Sequence, residues 1–144
     1  MSKQARGLRN NNPLNIKKSD KVFWLGEVVP GRDETFSQFE TMGLGCRAAL
    51  KLLRAYHDKY GCTTIRQIIR RWAPETENQV EAYIKTVCKL THQTADTPLP
   101  PMKAETRIVW CDLVLAMASV ECGLSADDRD TLRFSIEKGW HLLY

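Results

Sequence analysis

The chain has 144 residues, 43% hydrophobic and 26% charged, with 21 Lys and Arg against 17 Asp and Glu. That length suits one domain with a real core, residues 1–144, and the composition excludes an acidic disordered chain. The net charge of +4 is uneven, +8 over residues 1–72 and −4 over residues 73–144, so the first half suits an anionic partner.

Residues 1–42 lack a sustained helical period and are rich in turn signals: Asn10-Asn11-Asn12-Pro13, Lys18-Ser19-Asp20-Lys21 and Pro30-Gly31-Arg32-Asp33. Between them Val22–Leu25 and Glu27–Val29 have the character of short strands, and Thr35–Phe39 alternates with period two. A small irregular or β-containing N-terminal lobe is expected there.

From Gly43 the pattern becomes helical over the remainder, 43–144. Leu44, Ala48, Ala49, Leu52, Leu53 and Tyr56 share one helical face, and Gly61 closes it. Thr63 or Thr64 caps a short helix with Ile65, Ile68, Ile69 and Trp72 inward. Pro74 stops that helix and suits the first turn of the next, where Glu75 and Glu77 favour the positive dipole end. This third helix turns Val80, Tyr83, Ile84, Val87 and Cys88 to one side.

Residues 92–103, with Pro98, Pro100 and Pro101, read as an internal loop. The stretch from Glu105 to Cys122 is apolar nearly all round, which predicts a central buried helix ended by Gly123. Ser125 and Asp128 form a capping-box pattern, and Leu132, Ile136, Trp140 and Leu143 give the last helix an inner stripe. The predicted class is mainly α: about five helices, one of them central, with a cleft between lobe and bundle.

Three constellations have chemical potential. The run from Arg6 to Lys17 holds Asn10, Asn12 and Asn15, whose amides offer both donors and acceptors to sugar hydroxyl or acetamido groups. Asn is also a common turn residue, so the same run reads as tight-turn chemistry. The corner Arg70–Asn78, followed by Tyr83, sets Trp72 beside Glu77 and Asn78, a combination able to stack on a sugar and move a proton. The plainer reading makes Trp72 core and Glu77 a dipole partner. Glu27, Asp33, Glu34 and Glu40 form the third group. Glycoside cleavage commonly uses two carboxyls about 5–9.5 Å apart, which only the fold can bring together.

Five Cys, at 46, 62, 88, 111 and 122, form no Cys-x-x-Cys pair, and three His lie far apart. No metal, no cofactor and no disulfide framework is expected.

The segments Arg6–Ile16, Trp24-Leu25-Gly26, Asp33 with Phe36 and Phe39, Gly45–Ala49, Thr64-Ile65 and Arg71–Asn78 with Tyr83-Ile84 occur in an order that resembles a family of small phage and prophage proteins. These are often labelled phage structural or lysozyme-like proteins. The resemblance runs from Arg6 to about Cys88 and implies a lysozyme-like helical domain. More distantly, Asn-Pro-Leu-Asn-Ile-Lys, Trp-x-Gly and the Trp72-Ala73 corner are similar to cell-wall glucosaminidases, with Tyr83 loosely matching a later Tyr. In those enzymes the main acid Glu precedes the Asn-containing turn. Here none of residues 1–11 is Asp or Glu, so the acid role would pass to Asp33, Glu40 or Glu77.

The resemblance implies cleavage of peptidoglycan glycan strands, of glycosidase or lytic transglycosylase type. Catalytic candidates are Glu77, Glu40 and Asp33; substrate-binding candidates are Arg6, Asn10, Asn12, Asn15, Trp72, Asn78 and Tyr83. The expected partner is peptidoglycan or another anionic cell-wall glycan. The alternative is a non-catalytic wall-binding or virion structural component. Nucleic-acid binding through Arg66, Arg70 and Arg71 is disfavoured, because Trp72-Ala73-Pro74 ends that helix at once. No apolar run approaches the ~20 residues of a membrane span, and no apolar stretch follows the basic N-terminus. Synthesis in the cytoplasm without a signal peptide is expected, with access to the wall through a holin, a virion or specialised secretion.

Overall fold

Four polar residues set where helices begin in the computed structural model, which describes residues 4–73 and 76–143. Thr41, Thr64, Thr76 and Ser125 each accept a hydrogen bond from the backbone N–H three residues on, opening α2 (Met42–Asp58), α3 (Ile65–Trp72), α4 (Glu77–Thr91) and α6 (Ala126–His141). At the last three, Gln67, Gln79 and Asp128 close a capping box. A short α1 (Arg6–Arg9) precedes them, and a 3-10 turn at Ala104–Thr106 leads into α5 (Arg107–Cys122), which Gly123 ends at φ +60°.

The molecule is mainly helical. The strands expected in the first 42 residues do not form: among the described residues there are only isolated antiparallel bridges, Lys17 to Phe36 and Glu27 to Phe39. Gly26, at φ +80°, turns the chain between the first two expected strands, where Glu27 N–H donates to the Trp24 carbonyl, and Asn15, at φ +53°, turns it just before the Lys17 bridge. The third predicted helix starts later than expected, at Glu77 behind the Thr76 cap; Pro74 and Glu75 lie outside the described residues.

α5 is the central element. Trp110, Cys111 and Leu113–Ala118 are buried along it, and it packs against α1, α2, α4 and α6. Most of the predicted inner stripes of α3, α4 and α6 is buried, with Trp72, Cys88 and Leu143 only partly covered, and on α2 the buried face centres on Cys46, Ala49, Leu50 and Leu53. Leu52 and Tyr56 of α2 are only partly covered, which leaves them available to a groove. Leu14, Ile16 and Phe39 belong to the same hydrophobic cluster as the helices, so the N-terminal segment is packed onto them through side chains in its turns.

Two close approaches depend on glycine. A Cβ on Gly45 would lie 1.8 Å from the carbonyl oxygen of Asn11, so α2 meets the Asn-rich turn only where a side chain is missing. A Cβ on Gly139 would lie 2.7 Å from the backbone nitrogen of Arg47 and 2.8 Å from Cys46 Cβ, which fixes the α2–α6 contact.

Candidate functional site

Near the C-terminal end of α5, one carboxylate stands in an otherwise apolar run. Burying a charge is unfavourable unless polar groups meet it. Glu121 is met from two directions: its Oε2 accepts from Trp72 Nε1 at 3.3 Å, and its Oε1 accepts from Asn15 Nδ2 at 3.3 Å. The Asn15 amide also lies 3.4 Å from the Glu121 carbonyl oxygen. Tyr83, on α4, is buried and donates to the Met117 carbonyl at 3.4 Å. Burial, followed by the neighbouring negative charge of Glu121, pushes the Tyr83 hydroxyl pKa up, so it stays a neutral donor. The N-terminal segment, α3, α4 and α5 thus converge on one acid.

Two grooves meet at Ala73 and Glu121. The larger, about 460 Å³, is walled on one side by the N-terminal residues Asn15 to Lys17, Ser19, Val22, Trp24 and Phe36, and on the other by Leu52, Tyr56 and Trp72. The smaller, about 390 Å³, runs along α4 past Gln79, Val80, Tyr83 and Thr86. Tyr56 and Trp72 are tilted at 55° with ring centroids 6.4 Å apart, so one wall of the larger groove is aromatic. Glu121 is the single carboxylate lining either groove among the described residues. Apolar faces with a few converging polar groups are the usual makeup of a ligand cleft.

The three acids singled out from the sequence lie elsewhere. Asp33 is a structural anchor: its side chain is 8% exposed, and it takes a two-pronged ion pair from Arg6 at 2.6 and 2.8 Å. It also accepts from Asn10 Nδ2 at 3.0 Å and from the backbone N–H groups of Thr35 and Phe36. The Arg6 bond above all, with these further donors, holds its carboxyl far below the usual range, so it has no proton to give near neutral pH. Glu77 is exposed and paired with Arg70 at 2.7 Å, which lowers its pKa. Glu40 is exposed and lines neither groove.

The predicted binding residues divide. Asn15, Trp72 and Tyr83 surround Glu121. Asn12 is fully buried, and its amide donates to the carbonyls of Ile16 and Ser37 while its oxygen accepts from Ile16 N–H. Asn10 is buried against Asp33, and Arg6 stacks over Phe36 at 4.7 Å while holding Asp33. Asn78 is exposed on the first turn of α4 and lines neither groove. The Asn-rich run therefore builds the turn, with only Asn15 reaching the site.

Glu121 sits inside the apolar stretch that predicts the central helix, which hides it in the sequence. Its signal was there: a lone carboxylate between Val120 and Cys122 on a helix destined for the interior must find partners.

The remaining chemistry-bearing groups are occupied otherwise. All five Cys are free thiols, and burial pushes Cys111 up to about 12 and Cys122 up to about 11, leaving them protonated at neutral pH and poor nucleophiles. Arg66 and Arg70 pair with Glu77, Glu81 and Asp96, and Arg71 stacks on Tyr60 at 4.0 Å. Among the described residues no group of three or more His, Cys, Asp and Glu is placed to hold a metal ion, and no helix is long and apolar enough to cross a membrane.

No protein-family model matches the chain. It is 37% identical over 143 residues to Protein P5 of Pseudoalteromonas phage PM2, a match that covers 98% of this chain and 86% of that protein. At that identity and coverage, the chain belongs to the same family as Protein P5 of this phage.

Proposed function

We propose that the protein cleaves the glycan strands of peptidoglycan within a lysozyme-like helical fold, with Glu121 as general acid. The observation that carries this reading is the position of Glu121, the sole carboxylate among the described residues at the junction of two grooves and beside an aromatic wall. The resemblance of the Arg6–Ile16 and Arg71–Asn78 segments to lysozyme-like phage proteins supports it.

With Glu121 the one carboxylate that lines the cleft among the described residues, the mechanism we propose is substrate-assisted. Protonated Glu121 gives its proton to the glycosidic oxygen, and the bond from that oxygen to C1 breaks. The carbonyl oxygen of the sugar's own 2-acetamido group bonds to C1 and carries the developing positive charge. Water, or the C6 hydroxyl of the same sugar, then attacks C1 as the bond from C1 to the acetamido oxygen breaks, which restores the neutral acetamido group, and gives its proton to the Glu121 carboxylate. The C6 hydroxyl route ends in a 1,6-anhydro sugar, the lytic transglycosylase outcome. Asn15 and Trp72 orient the carboxylate, while Tyr56 and Trp72 present apolar ring surface to the sugars. A phage lineage offers two routes to the wall, release through a holin-permeabilised membrane and carriage on a virion.

One observation favours a second reading, a non-catalytic wall-binding or virion component: both Glu121 oxygens already accept hydrogen bonds from the protein. Turbidity of purified walls between pH 4 and 8 separates the two. The catalytic reading predicts clearing by the wild type and a loss of about 10²–10⁴-fold in E121Q, the range general-acid catalysis supplies. Wall binding without clearing, equal in wild type and E121Q, favours the second reading.

A further inference from the structure

The larger groove contains one cation among the described residues, Lys17. Its backbone is pinned: Lys17 bridges to Phe36, the N–H of Lys18 donates to Thr35 at 2.9 Å, and the N–H of Ser37 donates to Ile16 at 2.9 Å. The lysine therefore leaves the groove wall from a fixed point, whereas its own side chain is exposed. Three arginines of the N-terminal segment are committed to structure, and Lys18 and Lys21 are exposed and do not line the groove. Arg6 holds Asp33, Arg9 donates to the Gln4 carbonyl, and Arg32 donates to the Arg9 carbonyl. No ion pair to Lys17 occurs among the described residues, and the groove's one carboxylate is bonded to Trp72 and Asn15.

A cleft that takes only neutral sugar rings has no use for a lysine ammonium in its wall. Peptidoglycan strands differ from neutral N-acetylglucosamine polymers in one relevant way: alternate sugars have a lactyl group that ends in a carboxylate or continues into an acidic stem peptide. We propose that Lys17, in the groove wall it shares with Ser19, Trp24 and Phe36, forms a carboxylate subsite that selects lactyl-bearing strands over neutral ones. This assignment rests on the glycan reading of the groove and adds the substituent that the groove distinguishes.

Co-sedimentation or fluorescence titration of wild type, K17Q and K17E tests it on three ligands: peptide-bearing strands, strands stripped of peptide to expose the lactyl carboxylate, and chitin oligomers. The wild type should prefer both acidic ligands. K17Q should weaken their binding by about threefold to tenfold and K17E further, with the difference shrinking in 0.5 M salt and no change for chitin oligomers. Loss on peptide-bearing strands alone places the recognised carboxylate on the stem; loss on stripped strands alone places it on the lactyl group, and loss on both shows a subsite that accepts either carboxylate. Equal binding of all three ligands by all variants, or equal loss on all three, overturns the assignment. Cleavage is scored separately: no cleavage with the charge-dependent binding intact removes the enzymatic reading and leaves the subsite standing.

Discussion

Two carboxylates with opposite fates show what decides the role of a residue here. Asp33 and Glu121 are both well surrounded, but Asp33 meets a guanidinium and two backbone N–H groups, whereas Glu121 meets an indole and an amide. The first set fixes a charge permanently; the second positions an acid without a cationic partner. Asp33 should therefore contribute to stability in a pH-dependent way. Its folded-state pKa lies below the ordinary value of 3.8, so its contribution is full above that value and fades as pH falls below it. D33N keeps an acceptor for the Thr35 and Phe36 N–H groups but removes the charge facing Arg6. Its melting temperature should fall at pH 7, and the gap to wild type should stay constant down to about pH 5 and narrow mainly below about pH 4. Thermal melts by circular dichroism across that range check this, and a gap still constant below about pH 4 contradicts it.

Among the elements, helix starts and inner faces were readable because both follow from local rules. Thr64 and Ser125 announce their caps, and the 3.6-residue period of Ile65, Ile68 and Ile69 or of Leu132 and Ile136 points inward. Replacing Ser125 by Ala removes the oxygen that accepts from Asp128 N–H and should destabilise the protein by about 1 kcal/mol in urea unfolding. The N-terminal segment was less legible. Alternation at Thr35–Phe39 suggested a strand, but the segment is held by side chain to backbone bonds from Asn11 and Asn12, which no periodicity reveals. For the same reason Asn10 and Asn12 resembled sugar ligands: an amide that satisfies its own backbone and one that waits for a ligand look alike in a sequence. The Gly45 contact is a further long-range fact. Gly45→Ala should destabilise by roughly 3 kcal/mol, since the clash is with the backbone oxygen of Asn11 and not with a movable side-chain end. Guanidinium unfolding measures it, and an unchanged midpoint would mean that α2 and the turn separate freely.

Across the whole molecule, the site forms where four parts of the chain distant in sequence meet: Asn15, Trp72, Tyr83 and Glu121. Three of them were visible as candidates from residue type and motif; the acid between them was hidden by the hydrophobicity of its own helix. The uneven charge also takes on a more local meaning. Much of the positive half is spent on ion pairs and carbonyl contacts, and Lys17 is the cation that reaches the larger groove. The chain belongs to the family of a phage protein, and the proposed wall chemistry rests on the groove and its carboxylate. The central claim is that Glu121 breaks a glycosidic bond, and the most direct measurement is mass spectrometry of the soluble products from purified walls treated with wild type and E121Q. The account predicts glycan fragments with new 1,6-anhydro or reducing ends from wild type and none above background from a folded E121Q. Intact strand lengths with wild type, or the same fragments from both proteins, would contradict it.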